Sequence, residues 1–153
     1  MTAKFISGSV TQGSADAFAT ASITTGIASV NLGLRIREIV VSWPSLVEVD
    51  ANVQFEIMRR LPTAIVGVSD RRSVITQTRQ IALTTSGLVV NDLITRIAYP
   101  KDLDLMIVED PIYFSVDSNG TSLSNVIVCR IYYEEVRMTD VQKLSALQES
   151  ANA

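Results

Sequence analysis

Alternation of apolar and polar residues, the pattern of a half-buried β-strand, recurs through most of the chain. Residues 53–59 show it most clearly, because Val53, Phe55 and Ile57 fall on one side of an extended strand. We expect these three side chains to face a core. The residues between them should face outward or meet a neighbouring element.

Two longer segments carry the same signal. Residues 34–43 alternate in two sets that are out of phase at Glu38, which predicts a β-bulge within one long strand. Residues 125–136 are apolar at first and then alternate, with Cys129 on the apolar face. This last segment is long enough to cross a whole sheet, so we expect it at a central position.

Shorter apolar runs, separated by Pro, Gly, Asn and Asp, predict the remaining strands. The candidate strands are residues 63–68, 73–83, 88–90, 93–99, 105–108 and 112–116, with turns at 69–72 and 117–120. The N-terminal segment is rich in Ser, Thr, Ala and Gly. We therefore expect residues 1–30 to form a loosely ordered arm or edge strands.

Only the C-terminal segment has a helical pattern, which predicts a helix within residues 139–150. Thr139 and Gln142 have the spacing of a capping box. Three apolar residues recur on one face of this helix: Val141, Leu144 and Leu147. Because so short a helix is marginal alone in water, we expect that face to dock on the domain or on a neighbouring subunit.

Composition supports a sheet-rich fold, because 46 of the 153 residues are Val, Ile or Thr. We predict an all-β fold, an antiparallel β-sandwich with a short C-terminal helix, as a single domain over residues 1–153. A single jelly roll is the favoured topology. An immunoglobulin-type sandwich is the alternative, although one cysteine cannot supply the disulfide typical of that fold.

The chain has no histidine and one cysteine. This composition excludes Ser-His-Asp and Cys-His catalysis, imidazole ligands for a transition metal and structural zinc sites. We predict that Cys129 is a buried thiol. We also predict that the protein is not an enzyme and has no catalytic residues, cofactor or metal site.

Carboxylates are the remaining candidates for enzymatic or calcium-binding chemistry. Five of them lie close together in the sequence: Asp102, Asp104, Glu109, Asp110 and Asp117. Each adjoins a predicted loop or turn, and their spacing does not resemble a calcium-binding loop. We interpret them as solvated loop ends.

Charge is distributed unevenly, although the net charge is only −3. Residues 59–96 contain six arginines and two acids, whereas the chain from residue 101 contains nine acids and four bases. Candidate inter-subunit or anion contacts are Arg59, Arg60, Arg71, Arg72 and Arg79. These arginines are interpreted as a solvated surface, as a contact between copies of the chain, or as a weaker contact with nucleic acid.

The sequence predicts neither a signal peptide nor a membrane span. The N-terminus lacks the apolar stretch of a signal peptide, and no apolar run is long enough to cross a membrane. We therefore expect a soluble protein, or one that becomes part of a particle. We do not expect it to be secreted by a signal peptide or to span a membrane.

Three features together resemble the single jelly-roll coat (capsid) proteins of icosahedral viruses. They are the Ser/Thr/Ala-rich segment 7–30, the long strand 34–43 closed by Pro44, and the run 126–133 before a short helix. The resemblance implies subunits whose β-barrel walls tile a shell and whose arms and loops reach neighbours. This chain lacks the basic arm of many such proteins, which favours a shell over an internal membrane, or a minor or decorating position.

The resemblance implies a structural virion protein, located in a virion that is assembled in the host cytoplasm. Its partners would be copies of itself, forming a homo-oligomer, and other virion proteins. A carbohydrate-binding or adhesion β-sandwich module is the alternative, indicated by Trp43 and the tyrosines together with the loop acids. An enzyme that uses a pair of carboxylates is the third hypothesis.

Overall fold

The computed structural model describes residues 4–44, 51–80, 94–100, 102–122 and 124–151. These ranges contain nine strands and one helix, numbered in chain order. The strands are β1 (Lys4–Thr11), β2 (Ala19–Ile23), β3 (Leu32–Ser42), β4 (Asn52–Met58), β5 (Ser73–Gln80), β6 (Ile94–Ala98), β7 (Met106–Ile107), β8 (Ile112–Asn119) and β9 (Val126–Arg137), and the helix is α1 (Asp140–Ala151).

The strands form two antiparallel sheets that pack face to face. Sheet A has the order β1-β9-β3-β6, with β7 also paired to β3, and sheet B has the order β2-β8-β4-β5. The pairing is nested: β1 pairs with β9, β2 with β8, β3 with β6, and β4 with β5. An all-β antiparallel sandwich with a short C-terminal helix is thereby confirmed, and the strand order is consistent with a jelly roll.

One hydrophobic core lies between the two sheets. Phe55 lies within it, with its ring edge-to-face against Trp43 at 6.5 Å and against Phe114 at 5.6 Å. The prediction that Val53, Phe55 and Ile57 face the core is confirmed, because all three are fully buried. The Trp43 indole also lies in the core, and its N–H donates a hydrogen bond to Thr95 Oγ1.

Strand β9 occupies the predicted central position, between β1 and β3. Its register against β3 shifts between Ile36 and Glu38, which confirms the predicted bulge. Cys129 of β9 is fully buried, as expected. Burial raises the pKa of the Cys129 thiol to about 12, so the reactive thiolate is scarce at neutral pH.

The N-terminal segment forms edge strands rather than a loose arm where the structure describes it. β1 pairs with β9 over all eight of its residues, and β2 pairs with β8. A Cβ added at Gly8 of β1 would lie 2.4 Å from Ile23 Cδ1 of β2 and 3.3 Å from the Phe114 ring. The small residues of this segment therefore allow close packing between the edges of the two sheets.

The predicted strand 63–68 is wrong, because these residues belong to the loop between β4 and β5. This loop is held by a side chain instead of a backbone ladder. Glu56 Oε2 accepts hydrogen bonds from the backbone N–H groups of Val66 and Gly67, at 3.2 and 3.0 Å, and from Thr76 Oγ1 at 3.0 Å. Glu56 lies on the outer face of sheet B and is fully buried, so the loop covers the centre of that face.

Other strand boundaries also differ from the predictions. The turn at 69–72 is present, but it belongs to the β4–β5 loop and does not join two strands. β8 extends to Asn119, so the turn predicted at 117–120 begins only near Gly120, whose φ is 77°. The candidate strand 88–90 and the parts of 73–83 and 93–99 that lie beyond β5 and before β6 fall outside the described residues.

We expect Phe55→Ala to lower the free energy of unfolding by about 3–5 kcal/mol, because it opens a cavity between the two sheets. Phe5→Ala makes the same chemical change on the outer face of sheet A, where Phe5 is 49% exposed. It should cost less than about 1 kcal/mol. Urea unfolding followed by tryptophan fluorescence measures both changes, and equal losses would contradict this account of the core.

Candidate functional site

Four of the five candidate arginines gather at one end of the sandwich. This helix end comprises the β2–β3 loop (24–31), the β4–β5 loop (59–72), the segment from β6 to β8 (99–111) and α1. Arg59, Arg60, Arg71 and Arg72 all lie in the β4–β5 loop. Arg79 lies apart on β5, where its guanidinium carbon is 5.9 Å from the centre of the Trp43 ring.

Arg59 forms a largely buried ion pair with Glu109. Its Nη1 lies 3.0 Å from Glu109 Oε2 and donates to the Met106 carbonyl at 2.8 Å, and the two charged side chains are 15% and 9% exposed. Glu109 Oε2 also accepts a hydrogen bond from the Val108 N–H, at 3.0 Å. The pair joins the end of β4 to the β7–β8 connection, so Arg59 is committed to the fold.

Arg72 is also committed to a partner in its own loop. Its Nη2 lies 2.5 Å from Asp70 Oδ2, and its Nε lies 2.9 Å from Asp70 Oδ1. The side-chain hydrogen bonds from Arg72 lower the pKa of Asp70 to about 2. Arg60 and Arg71 differ, because neither makes an ion pair within the described part of the chain.

Polar contacts hold α1 on this end of the sandwich. The predicted capping box is confirmed: the Thr139 N–H donates to Gln142 Oε1 at 2.9 Å, and the Gln142 N–H donates to Thr139 Oγ1 at 3.2 Å. Lys143, only 7% exposed, donates from Nζ to the carbonyl oxygens of Ile27 and Val30. The helix is therefore anchored on the β2–β3 loop by an ammonium group.

The apolar stripe of α1 does not dock on the sandwich as a whole. Val141 and Leu144 are 77% and 58% exposed, and only Leu147 is partly buried. The side that faces inward carries Lys143, because two backbone carbonyls of the β2–β3 loop are available to its ammonium group. Of the two expected docking partners, the domain therefore covers only Leu147, and docking of Val141 and Leu144 on a neighbouring subunit stays a prediction.

Two grooves flank α1. The first, with a volume of about 290 Å³, is lined by residues that include Arg59, Arg71, Asp104, Glu109, Glu149 and Ser150. The second, with a volume of about 540 Å³, is lined by residues that include Arg59, Arg60, Leu61, Arg72, Tyr113 and Leu147. The two grooves share Arg59, Glu109 and Ser150, and Arg71 lines the first whereas Arg60 lines the second.

The loop carboxylates have structural partners that their sequence positions did not reveal. Asp110 accepts hydrogen bonds from the backbone N–H groups of Thr25, Gly26, Ile27 and Ala28, at 3.0–3.2 Å. Partial burial raises the pKa of Asp110, but these hydrogen bonds outweigh it, and the net shift is downward.

The interpretation as solvated loop ends is therefore wrong for Glu109 and Asp110. Asp104 accepts a hydrogen bond from Arg35 at 2.7 Å, whereas Asp102 is exposed and makes no such contact with any residue that the structure describes. Asp117 lies on β8, away from the helix end. Across the described ranges, no group of three or more His, Cys, Asp or Glu side chains is placed to hold a metal ion.

No protein-family model matches the chain, and no curated protein sequence matches it. Within the part of the chain that the structure describes, no helix has the length and apolar character needed to cross a membrane. A proposal for the function therefore rests on the fold and on the helix end.

Arg59 and Arg60 provide a matched test of the buried ion pair. Arg59→Met should cost about 3 kcal/mol of unfolding free energy, because it leaves the Glu109 carboxylate buried without its charged partner. Arg60→Met should change stability by no more than about 0.5 kcal/mol, since Arg60 is exposed. Chemical denaturation measures both. The double change Arg59→Met with Glu109→Leu should be milder than Arg59→Met alone, and the opposite order would contradict this assignment.

Asp110 should make the stability of the helix end depend on pH. Because its folded-state pKa lies below the ordinary 3.8, its carboxylate stabilises the fold above that value. This stabilisation is lost as the pH falls through the lowered pKa. Asp110→Asn should therefore be less stable than the unmodified protein at neutral pH, with a gap that narrows in acid. Thermal unfolding across pH checks this, and Asp102→Asn is the control that should show no gap.

Proposed function

We propose that the protein is a structural subunit of a virion shell that assembles with copies of itself. The nested strand order carries the proposal, because it is the order expected of a single jelly roll, the architecture of the coat proteins that the sequence resembles. A shared fold is compatible with many functions. The surface of the molecule provides the second line of support.

The exposed large apolar side chains are grouped rather than scattered. Four lie on strands of sheet A: Phe5, Ile94, Val126 and Val128. Five others lie on α1 and on the loops of the helix end: Val30, Leu61, Leu103, Val141 and Leu144. Val66 and Val68 lie on the part of the β4–β5 loop that covers sheet B. Single exposed apolar residues are ordinary, but grouped ones mark contact surfaces. This distribution supports a subunit that covers these surfaces by association.

The chemistry of the polar groups supports assembly rather than catalysis. Cys129 is buried with a raised pKa, and Glu109 and Asp110 are engaged by Arg59 and by backbone N–H groups. Glu109 and Asp110 each stabilise a connection between elements. In this proposal the partners are copies of the chain and other virion proteins, with nucleic acid as a weaker contact of Arg60 and Arg71.

A carbohydrate-binding or adhesion module is the second candidate. The observation that favours it is an aromatic cluster on the outer face of sheet A, in which the Arg130 guanidinium carbon lies 4.5 Å from the centre of the Phe5 ring and 6.0 Å from that of Tyr132. Trp43, the most effective stacking side chain, is only 5% exposed and lies in the core. A glycan array would support this candidate by showing specific binding that is lost in Phe5→Ala.

Self-assembly of the purified protein tests the proposed function. We expect sedimentation velocity to show species larger than a monomer whose share grows with concentration, and negative-stain electron microscopy to show rings or closed particles. Association should persist at high salt, because apolar surface is screened little by ions. A protein that remains monomeric at every concentration and salt condition would contradict the proposal.

A further inference from the structure

Five exposed apolar side chains lie on α1 and on the loops of the helix end. This group, the helix-end patch, consists of Val30, Leu61, Leu103, Val141 and Leu144, each at least 40% exposed. Val141 and Leu144 are three residues apart on one helix and therefore share a face. Helix α1 thus presents apolar residues outward, while its lysine faces the domain. This arrangement favours a contact between α1 and a partner outside its own domain.

Three observations place the loops that carry the patch next to the helix. The bond from Lys143 to the Val30 carbonyl brings the β2–β3 loop against α1. Leu61 lines the same groove as Leu147 of the helix. Asp104, next to Leu103 in the sequence, lines the first groove together with Glu149. The loops that carry Val30, Leu61 and Leu103 therefore adjoin α1.

Unpaired charges of both signs border the patch. Arg60 and Arg71 lie on the β4–β5 loop, whereas Asp102 and Glu149 lie on the β6–β7 connection and on α1. None of these four makes an ion pair among the described residues. Arg71 and Glu149 line the same groove, whereas Arg60 lines the other. Two copies related by a two-fold axis can place Arg60 of one copy beside the acidic groups of the other.

We infer that the helix-end patch is a contact between two copies of this chain, in which α1 of one copy packs against α1 of the other across a two-fold axis. This inference rests on the proposed self-assembly and specifies one of its contacts. The acidic groups at the border disfavour a nucleic acid or an anionic membrane as the occupant. A second copy supplies an apolar counterpart for Val141 and Leu144 and opposite charges for the flanking arginines and acids.

Val141→Glu tests the contact without damaging the fold. Residue 141 is in the first turn of α1, where a carboxylate interacts favourably with the helix dipole, and the valine side chain is 77% exposed. At a two-fold contact the substitution places two carboxylates in an apolar interface. We expect the dissociation constant of the dimer, measured by sedimentation equilibrium, to rise about tenfold or more.

Val68→Glu is the matched control for this substitution. Val68 is also 77% exposed, but it lies in the β4–β5 loop, outside the helix-end patch. The Val68→Glu substitution should leave the dissociation constant of the dimer within about twofold of that of the unmodified protein. Circular dichroism and the melting temperature should show that both variants are folded.

Cross-linking at Leu144 tests the two-fold symmetry itself. Leu144→Cys introduces an exposed thiol into a chain whose native Cys129 is fully buried. Because a two-fold contact brings the same helix face of two copies together, a short bis-maleimide should link Leu144→Cys into a covalent dimer. Val68→Cys, treated identically, should remain largely unlinked.

The outcomes separate this inference from the proposed function. Association that is weakened in Val141→Glu but not in Val68→Glu, with cross-linking at position 144, supports the two-fold contact. Association that both glutamate variants retain would overturn the contact and leave self-assembly standing. A monomeric unmodified protein would overturn both.

Discussion

Strand β9 is the constraint on which the rest of the sandwich depends, because it pairs with β1 over residues 126–133 and with β3 over residues 128–137. It joins the N-terminal strand to the middle of the chain in one sheet and leads into the C-terminal helix. The nested arrangement places most pairings between residues that are distant in sequence. Such contacts are slow to form because loop-closure entropy is lost before any pairing is gained.

Carboxylates accept hydrogen bonds from the loops and hold them in place where no strand pairing does so. Asp110 gathers four backbone N–H groups of the β2–β3 loop at the helix end. At the opposite end Asp16 accepts the N–H groups of Gly120 and Thr121, at 3.0 and 3.1 Å. Glu56 does the same for the loop over sheet B. A single anion with several acceptor sites satisfies backbone donors that no strand pairing satisfies.

The sequence predicted the structure best where apolar and polar side chains alternate with the two-residue period of a strand. β4, the bulge of β3, the central position of β9 and the capping box of α1 were all predictable, because each depends on residues near in sequence. Lys143 and Asp110 were not, since their partners are carbonyl and N–H groups of a distant loop that no residue type announces. Apolar residues 63–68 resembled a strand but lack a strand to pair with.

The candidate functional residues show the same difference between what nearby sequence predicts and what distant partners decide. Five arginines could be selected from charge distribution alone, but pairing decides which of them are free. Arg59 and Arg72 have carboxylate partners 50 and 2 residues away in sequence, whereas Arg60 and Arg71 have none among the described residues. The exposed face of α1 could not be foreseen, because amphipathic spacing identifies a stripe without identifying the side of the helix that faces the domain.

The covering of sheet B by the β4–β5 loop makes the sandwich chemically two-sided. On the covered side, Glu56 and its cross-strand neighbour Ser115 are fully buried, and the loop is hydrogen-bonded to Glu56. On the open side, Phe5 and Val128 of sheet A remain about half exposed. A flat unit with unlike faces cannot be turned over without changing what it presents. Repeated side by side, such units would form a layer with a defined inside and outside.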